Sequence, residues 1–231
     1  MHKKIVLSLL FTVYAIYHFA TLQISPLPWF DETYFASLTH TYLETGIMQT
    51  KIAMILNDGR EVVEYGPCYF WLTALAFKIF GFGILQFRII GLLFGFFLIY
   101  IFYRFLKLTG TNMIFLFLLL FAFDPILHSS MHGGRMDTMA ASLSLFSVVL
   151  FLENRVKGNS ILYFISGCSG ALAILTTPRS GFLLIPVALM LFVSWVKTKN
   201  LKSFSNGLVW SAPILILYLF WFFHAFGNLE I

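Results

Sequence analysis

Charge is scarce in this sequence. Only 11% of its 231 residues are charged, against 59% hydrophobic and 19% aromatic, and the mean hydropathy is +0.87. A water-soluble domain of this length needs far more polar surface to cover its core. That class is excluded, and the apolar excess must face lipid. Cysteine is almost missing: Cys68 and Cys168 stand in different segments without paired spacing, which argues against a disulfide framework or a cysteine-ligated zinc motif. The chain has no internal repeat, no low-complexity tract and no polar domain. Its net charge of +5 is spread thinly between apolar segments, so the loop distribution carries the information and a nucleic-acid partner is not expected.

What is present is a series of apolar runs. Segments long enough to cross a bilayer, at about 20 residues each, occupy 5–23, 84–105, 112–130, 136–152, 160–177, 180–196 and 205–226. The fold class is therefore all-α: a polytopic helical membrane protein with about seven transmembrane helices. The first 24 residues have the basic start and apolar middle of a signal peptide. The apolar run is long and no small-x-small cleavage pattern closes it, so an uncleaved first span is expected.

An eighth apolar run, 67–80, begins with Pro67, contains Lys78 and ends at Gly81. With seven spans and the amino terminus inside, the inner side receives Lys3, Lys4, Arg104, Lys107, Arg155, Lys157, Lys197, Lys199 and Lys202, while the short outer loops hold only Arg135 and Arg179. A crossing by 67–80 would reverse this bias, so the run is expected to lie flat on the membrane. The organisation is one transmembrane domain, 1–231, with a long first outer loop over 24–83 that carries interfacial helices. In that loop Tyr34, Leu38 and Tyr42 recur at four-residue spacing before Gly46, which predicts a short amphipathic helix. Asn57, Asp58 and Gly59 lie between two alternating runs and predict a turn. Of the ten acidic residues only Glu153 falls inside, so the polar chemistry gathers on the outer face.

Three outer motifs are candidates for that chemistry. Asp31 and Glu32, in "PWFDETYFA", follow the first span directly. Asp31 is either the N-cap of the Tyr34 helix, with Glu32 complementing the helix dipole, or a carboxylate held for function at the membrane surface. In "HGGRMD", Arg135 and Asp137 stand at the head of the fourth span, where an ionisable group must be paired or face a polar cavity. In "TTPRSG", Arg179 stands alone in a tight turn and calls for an anion. Lys78 and Arg88 are expected to anchor lipid headgroups. Asp124, His128, His132 and Asp137 together offer ligand types for a divalent-metal site. Pro125, Gly133 and Gly134 break that stretch and argue against a shared helical face, so no cofactor is expected.

Together "FDETYFA", "YGPCYFWLTALAFKIFGFGILQFRIIGLLFG" and "GGRMDTMAASLSLFSVVLFLE" resemble membrane glycosyltransferases of the GT-C fold, in the branch that holds protein O-mannosyltransferases and lipid A aminoarabinose transferases. The resemblance covers about residues 31–179. It implies an inverting sugar transfer from a polyprenyl-phosphate carrier to a glycan, lipid or protein hydroxyl on the outer face of the cell membrane. By that likeness Asp31 and Glu32 are the catalytic acids, and Arg135, Asp137, Arg179 and Tyr65 contact substrate, with the arginines near the carrier phosphate. Tyr65 begins a "YGP" that lacks the basic residue of the aminoarabinose transferases, which argues against that sugar. The chain is about half the usual family length, so a longer protein or a partner chain supplying further spans is expected. The alternatives are a non-enzymatic carrier or flippase component for lipid-linked sugars, and an inactive amino-terminal fragment.

Overall fold

The computed structural model describes residues 2–50 and 61–227. Regular structure among them is entirely helical: α1 (His2–Thr21), α2 (Phe30–Thr45), α3 (Cys68–Phe80), α4 (Ile84–Thr109), α5 (Ile114–Ala122), α6 (Pro125–His132), α7 (Asp137–Lys157), α8 (Ser160–Ile174), a 3-10 turn (Pro178–Leu184), α9 (Ile185–Thr198) and α10 (Leu201–Gly227). The turn expected at Asn57 to Gly59 lies outside the described residues. Local sequence sets several boundaries. Gly46 closes α2 at φ 76°, a left-handed conformation that side chains disfavour. Asp124 caps α6 by accepting from the Leu127 N–H at 2.8 Å, and Pro125 follows at the first helical position.

Side-chain pairings give the direction of each helix. Tyr14 donates to the Ala122 carbonyl at 2.6 Å and His18 meets His132, so α1 and the α5–α6 pair run parallel. Thr138 donates to the Gly91 carbonyl while Arg104 pairs with Glu153, so α4 and α7 also run parallel. Ser169 reaches the Leu143 carbonyl, and Ser147 and Ser166 exchange hydroxyl-to-carbonyl bonds at 2.7 Å, which makes α7 and α8 antiparallel. Trp210 donates to Ser166, and Gly170 faces Ile214, so α8 and α10 are parallel. One end of the bundle therefore gathers the start of α7, the end of α8 and the start of α4. The Arg104–Glu153 pair lies at the other end.

All seven expected spans fall on helices. By length and apolarity alone, three segments among the described residues can cross a membrane (Ile84–Thr109, Pro178–Thr198 and Leu201–Ala225), and α5 with α6 makes a fourth if their 52° bend is one broken span. Helices α7 and α8 differ for a physical reason. Helix α7 packs between α4 and α8 and buries Ser142, Ser144, Ser147 and Asn154, polar side chains suited to neighbouring helices rather than to lipid. Helix α8 is only 15 residues long and carries Gly167 and Gly170 against α10 and α7. The loop helices α2 and α3 sit on one end of this bundle. There Phe35, Leu38, Tyr69, Phe70, Phe87, Met136 and Leu175 form a buried core, and Thr39 meets Thr73 at 3.1 Å.

The packing of α8 on α10 makes a prediction. A Cβ on Gly167 would overlap the Trp210 carbonyl, whereas one on Gly207, in α10, meets nothing within 4 Å. Alanine in place of mid-helix glycine gains about 1 kcal/mol of propensity, and a backbone clash in a packed interface takes away about 1–3 kcal/mol. Thermal unfolding in detergent is expected to show Gly167→Ala less stable than the parent and Gly207→Ala equally or more stable.

Candidate active site

The site is built around a buried cation. Arg88, one turn into α4, is 0% exposed, and a charge without water must be paired and have its N–H groups satisfied. Its Nε donates to Glu32 Oε1 at 2.5 Å and its Nη2 to Glu32 Oε2 at 2.8 Å, a bidentate pair with a carboxylate that is itself buried. Nη1 donates to the Leu22 carbonyl at 2.7 Å, and Nη2 also to the Pro26 carbonyl at 2.9 Å. One guanidinium thus ties the residue after α1, the connecting loop and α2 onto α4. This corrects the headgroup-anchor expectation for Arg88. Both oxygens of Glu32 face inward to Arg88.

Glu32 fixes the rotation of α2, and Asp31, one residue earlier, is turned about 100° around the helix from it. Its Oδ2 lies 3.4 Å from Arg135 Nη1, and Arg135 Nε lies 2.6 Å from Asp137 Oδ2. The Trp29 ring stacks under the same guanidinium at 5.2 Å. One arginine between two carboxylates leaves the cluster with a formal charge of −1. Asp31 and Asp137 remain 38% and 49% exposed, so an incoming ligand can reach both. The N-cap reading of Asp31 is overturned. Helix α2 begins at Phe30, its cap position is Trp29 without a side-chain cap bond, and Asp31 sits within the first turn. The register follows from the Glu32–Arg88 pair, which needs Glu32 on the inner face.

The two glycines of "HGGRMD" make the approach of Arg135 sterically feasible. Gly134 has φ +55°, and a Cβ there would strike Phe87 and stand 2.9 Å from Glu32 Oε1. The backbone therefore passes directly over the buried pair. Beneath it, Tyr69 is fully buried, and its hydroxyl has no hydrogen-bond partner among the described residues. Burial, then the Glu32 and Asp137 carboxylates, push its phenol well above the usual range.

The remaining sequence candidates are placed differently. Tyr65 packs edge-on against Phe35 with ring centroids 5.1 Å apart, beside the core rather than on the Arg135 cluster. Arg179, in the 3-10 turn after α8, is exposed and makes no hydrogen bond or ion pair among the described residues. Because α8 runs antiparallel to α7, it lies at the same end of the bundle as Asp137. Asp124 is occupied by its cap and Asp137 by Arg135, so neither joins His128 and His132 as a metal ligand. Trp29, Tyr69, Arg88 and Gly134 were missed as site residues. The one available signal was Arg88, a charge set among apolar neighbours in "LQFRIIG".

A family model described as dolichyl-phosphate-mannose-protein mannosyltransferase matches residues 64–224, more than half of the chain. The chain belongs to this family. The matched region contains Tyr65, Arg88, Arg135, Asp137 and Arg179, and leaves Asp31 and Glu32 outside it. No curated protein matches by sequence. Among solved structures, ArnT from Cupriavidus metallidurans in the apo state superposes with a TM-score of 0.78 at 18% identity, covering 100% of this chain and 43% of that one. The same protein bound to undecaprenyl phosphate gives 0.76 at 19%, over 97% of this chain and 42% of that one. The chain thus spans less than half the length of these structures. The likeness gives the fold, and the expectation of a GT-C helical membrane protein is met.

Tyr69 supplies a prediction. Removing a buried hydroxyl that has no partner relieves its desolvation penalty, about 1 kcal/mol or more. Tyr69→Phe is expected to unfold at a higher temperature than the parent, and a clear loss of stability would show that the hydroxyl is satisfied in the folded protein.

Proposed function

We propose that this chain forms the acceptor-activating part of a membrane glycosyltransferase, which moves a sugar from a polyprenyl-phosphate carrier to an acceptor hydroxyl on the outer face of the membrane, with inversion. Family membership and the ArnT-like fold support transfer chemistry, and the ArnT structure with undecaprenyl phosphate supports a polyprenyl carrier. The observation that carries the reading is Asp31: a partly exposed carboxylate, rigidly mounted at one end of the bundle and oriented by a loose contact to Arg135.

Displacing a phosphate from an anomeric carbon passes through an oxocarbenium-like state, and the phosphate leaves without a proton donor. The reaction needs one base for the acceptor hydroxyl and positive charge for the departing phosphate. Asp31 is the base, since it alone of the adjacent acids keeps its carboxylate accessible. Glu32 acts through Arg88 as a positioning residue. Arg135, stacked on Trp29 and paired with Asp137, orients Asp31 and retains N–H groups for an oxygen of the substrate. Arg179 is the exposed cation available to the carrier phosphate. A single base with cations opposite it fits single-displacement inversion. The rest of the donor site and the acceptor site belong to the complete protein or complex.

Asp31→Asn keeps the shape of the residue and removes its basicity. In the complete protein, assayed with a panel of polyprenyl-phosphate sugars, it is expected to retain the thermal stability of the parent while transfer falls by about 100-fold to 10,000-fold. Full turnover by a stably folded Asp31→Asn protein would remove Asp31 from the catalytic role.

A further inference from the structure

Away from Asp31 and Arg135, a second cluster of ligating side chains remains. His18, His128 and His132 each bring a ring nitrogen within 4.8 Å of the other two. His128 and His132 are four residues apart on α6, so they share one face, and their ring centroids are 4.4 Å apart. Pro125 and Gly133, which argued against a shared face, stand at the start of α6 and just beyond its end, and leave the histidine pair on unbroken helix. His18, in the last turn of α1, closes the triangle with centroid distances of 4.8 Å and 5.1 Å.

Hydrogen bonding fixes the state of two rings. His132 Nδ1 lies 2.7 Å from the Ser25 carbonyl, which can only accept, so Nδ1 carries the proton and Nε2 presents a lone pair. His18 Nδ1, 2.7 Å from that Nε2, donates to it. Both rings are fully buried, with Tyr14 and Phe96 packed edge-on to His18. His128 is half-buried, and its ring makes no hydrogen bond among the described residues.

We propose that His18, His128 and His132 form a three-histidine site for a divalent transition metal, with zinc as the ion of best fit. An all-imidazole set without carboxylates suits zinc and its neighbours and disfavours calcium and magnesium, which take oxygen ligands. The His132 Nδ1–H to carbonyl bond is the outer-shell contact that metal-bound histidines ordinarily make, and it already aims Nε2 at the centre of the cluster. Zinc–nitrogen bonds of about 2.0–2.1 Å require nitrogens about 3.3 Å apart. The His18–His132 pair, at 2.7 Å, therefore opens slightly on binding and His128 swings inward. His18 exchanges its Nδ1 proton for one at Nε2, so the rings stay neutral and no net proton is lost. Three neutral ligands leave the ion's charge uncompensated, and the fourth position, open on the His128 side, takes hydroxide or another small anion.

The site staples the end of α1 to α6 and holds Ser25, in the same connection that Arg88 grips at Leu22 and Pro26. It thereby fixes the route into α2, and it stands independently of the transfer chemistry.

The test uses the full chain, purified in detergent with a non-histidine affinity tag, treated with chelator and titrated with cobalt(II) and then zinc(II). One equivalent of cobalt with the intense visible absorption of tetrahedral coordination is expected, displaced by zinc, together with a rise in unfolding temperature on zinc addition. His128→Ala breaks no hydrogen bond of the His18–His132–Ser25 chain, and is expected to weaken cobalt binding by about 100-fold or more, beyond the loss typical of outer-shell changes. His128→Gln should behave alike. Binding well below one equivalent, an octahedral spectrum, or parental affinity in either folded variant would overturn the proposal. Should both variants fail to fold, the stoichiometry and spectrum of the parent decide alone.

Discussion

The arrangement depends on how a charge is kept inside an apolar bundle. Arg88 has no access to water, so its guanidinium must find all its partners within the protein, and it finds them on three separate stretches: the residue after α1, the loop at Pro26 and the first turn of α2. Removing either charge of such a pair leaves the other buried alone, a penalty of about 3–5 kcal/mol. A pair of this kind is weak evidence of net stability. What it does constrain is geometry, because the bidentate contact holds both Glu32 oxygens on one guanidinium. Here it sets the rotation of α2, and with it the direction of Asp31.

The remainder of the site follows from that constraint and from close packing. Gly134 lets the α6–α7 connection cross the ion pair, which brings Arg135 over Trp29 and between Asp31 and Asp137. Serines and glycines along α7 and α8 allow the inner helices to approach closely, so the ends of α7 and α8 arrive at the same level. The bundle thus presents a cluster of two carboxylates and one arginine at one end, with the uncommitted Arg179 nearby. On the proposed reading Asp31 is the base at this end and Arg135 and Arg179 are its cations, the disposition that transfer from a lipid phosphate requires.

Much of the fold was legible because apolar runs and their breakers are local signals. The segments read as spans are helices, and Gly46 stops α2 where its spacing predicted. The juxtaposition of Asp31, Arg135 and Asp137 came from the family resemblance, since no local pattern links residues so far apart in sequence. Arg88 was misread because its position near a helix start matches a headgroup anchor, and its partner lies 56 residues away. The N-cap reading failed because α2 begins at Phe30, ahead of the acidic pair, with Trp29 at the cap position and Asp31 already in the first turn. The histidine cluster was half visible, as two residues on one helix. The third comes from a helix 114 positions from His132, and the breakers that seemed to split the pair only frame it.

The central claim is that Glu32 and Arg88 act as one unit that orients α2. A double-mutant cycle of Glu32→Gln, Arg88→Met and the combined variant, read as unfolding free energy in detergent, tests it most directly. Each single change is expected to destabilise by about 3–5 kcal/mol. The combined variant should lose clearly less than the sum, with a coupling energy of about 2–3 kcal/mol. Single effects that add to within about 0.5 kcal/mol would contradict the account.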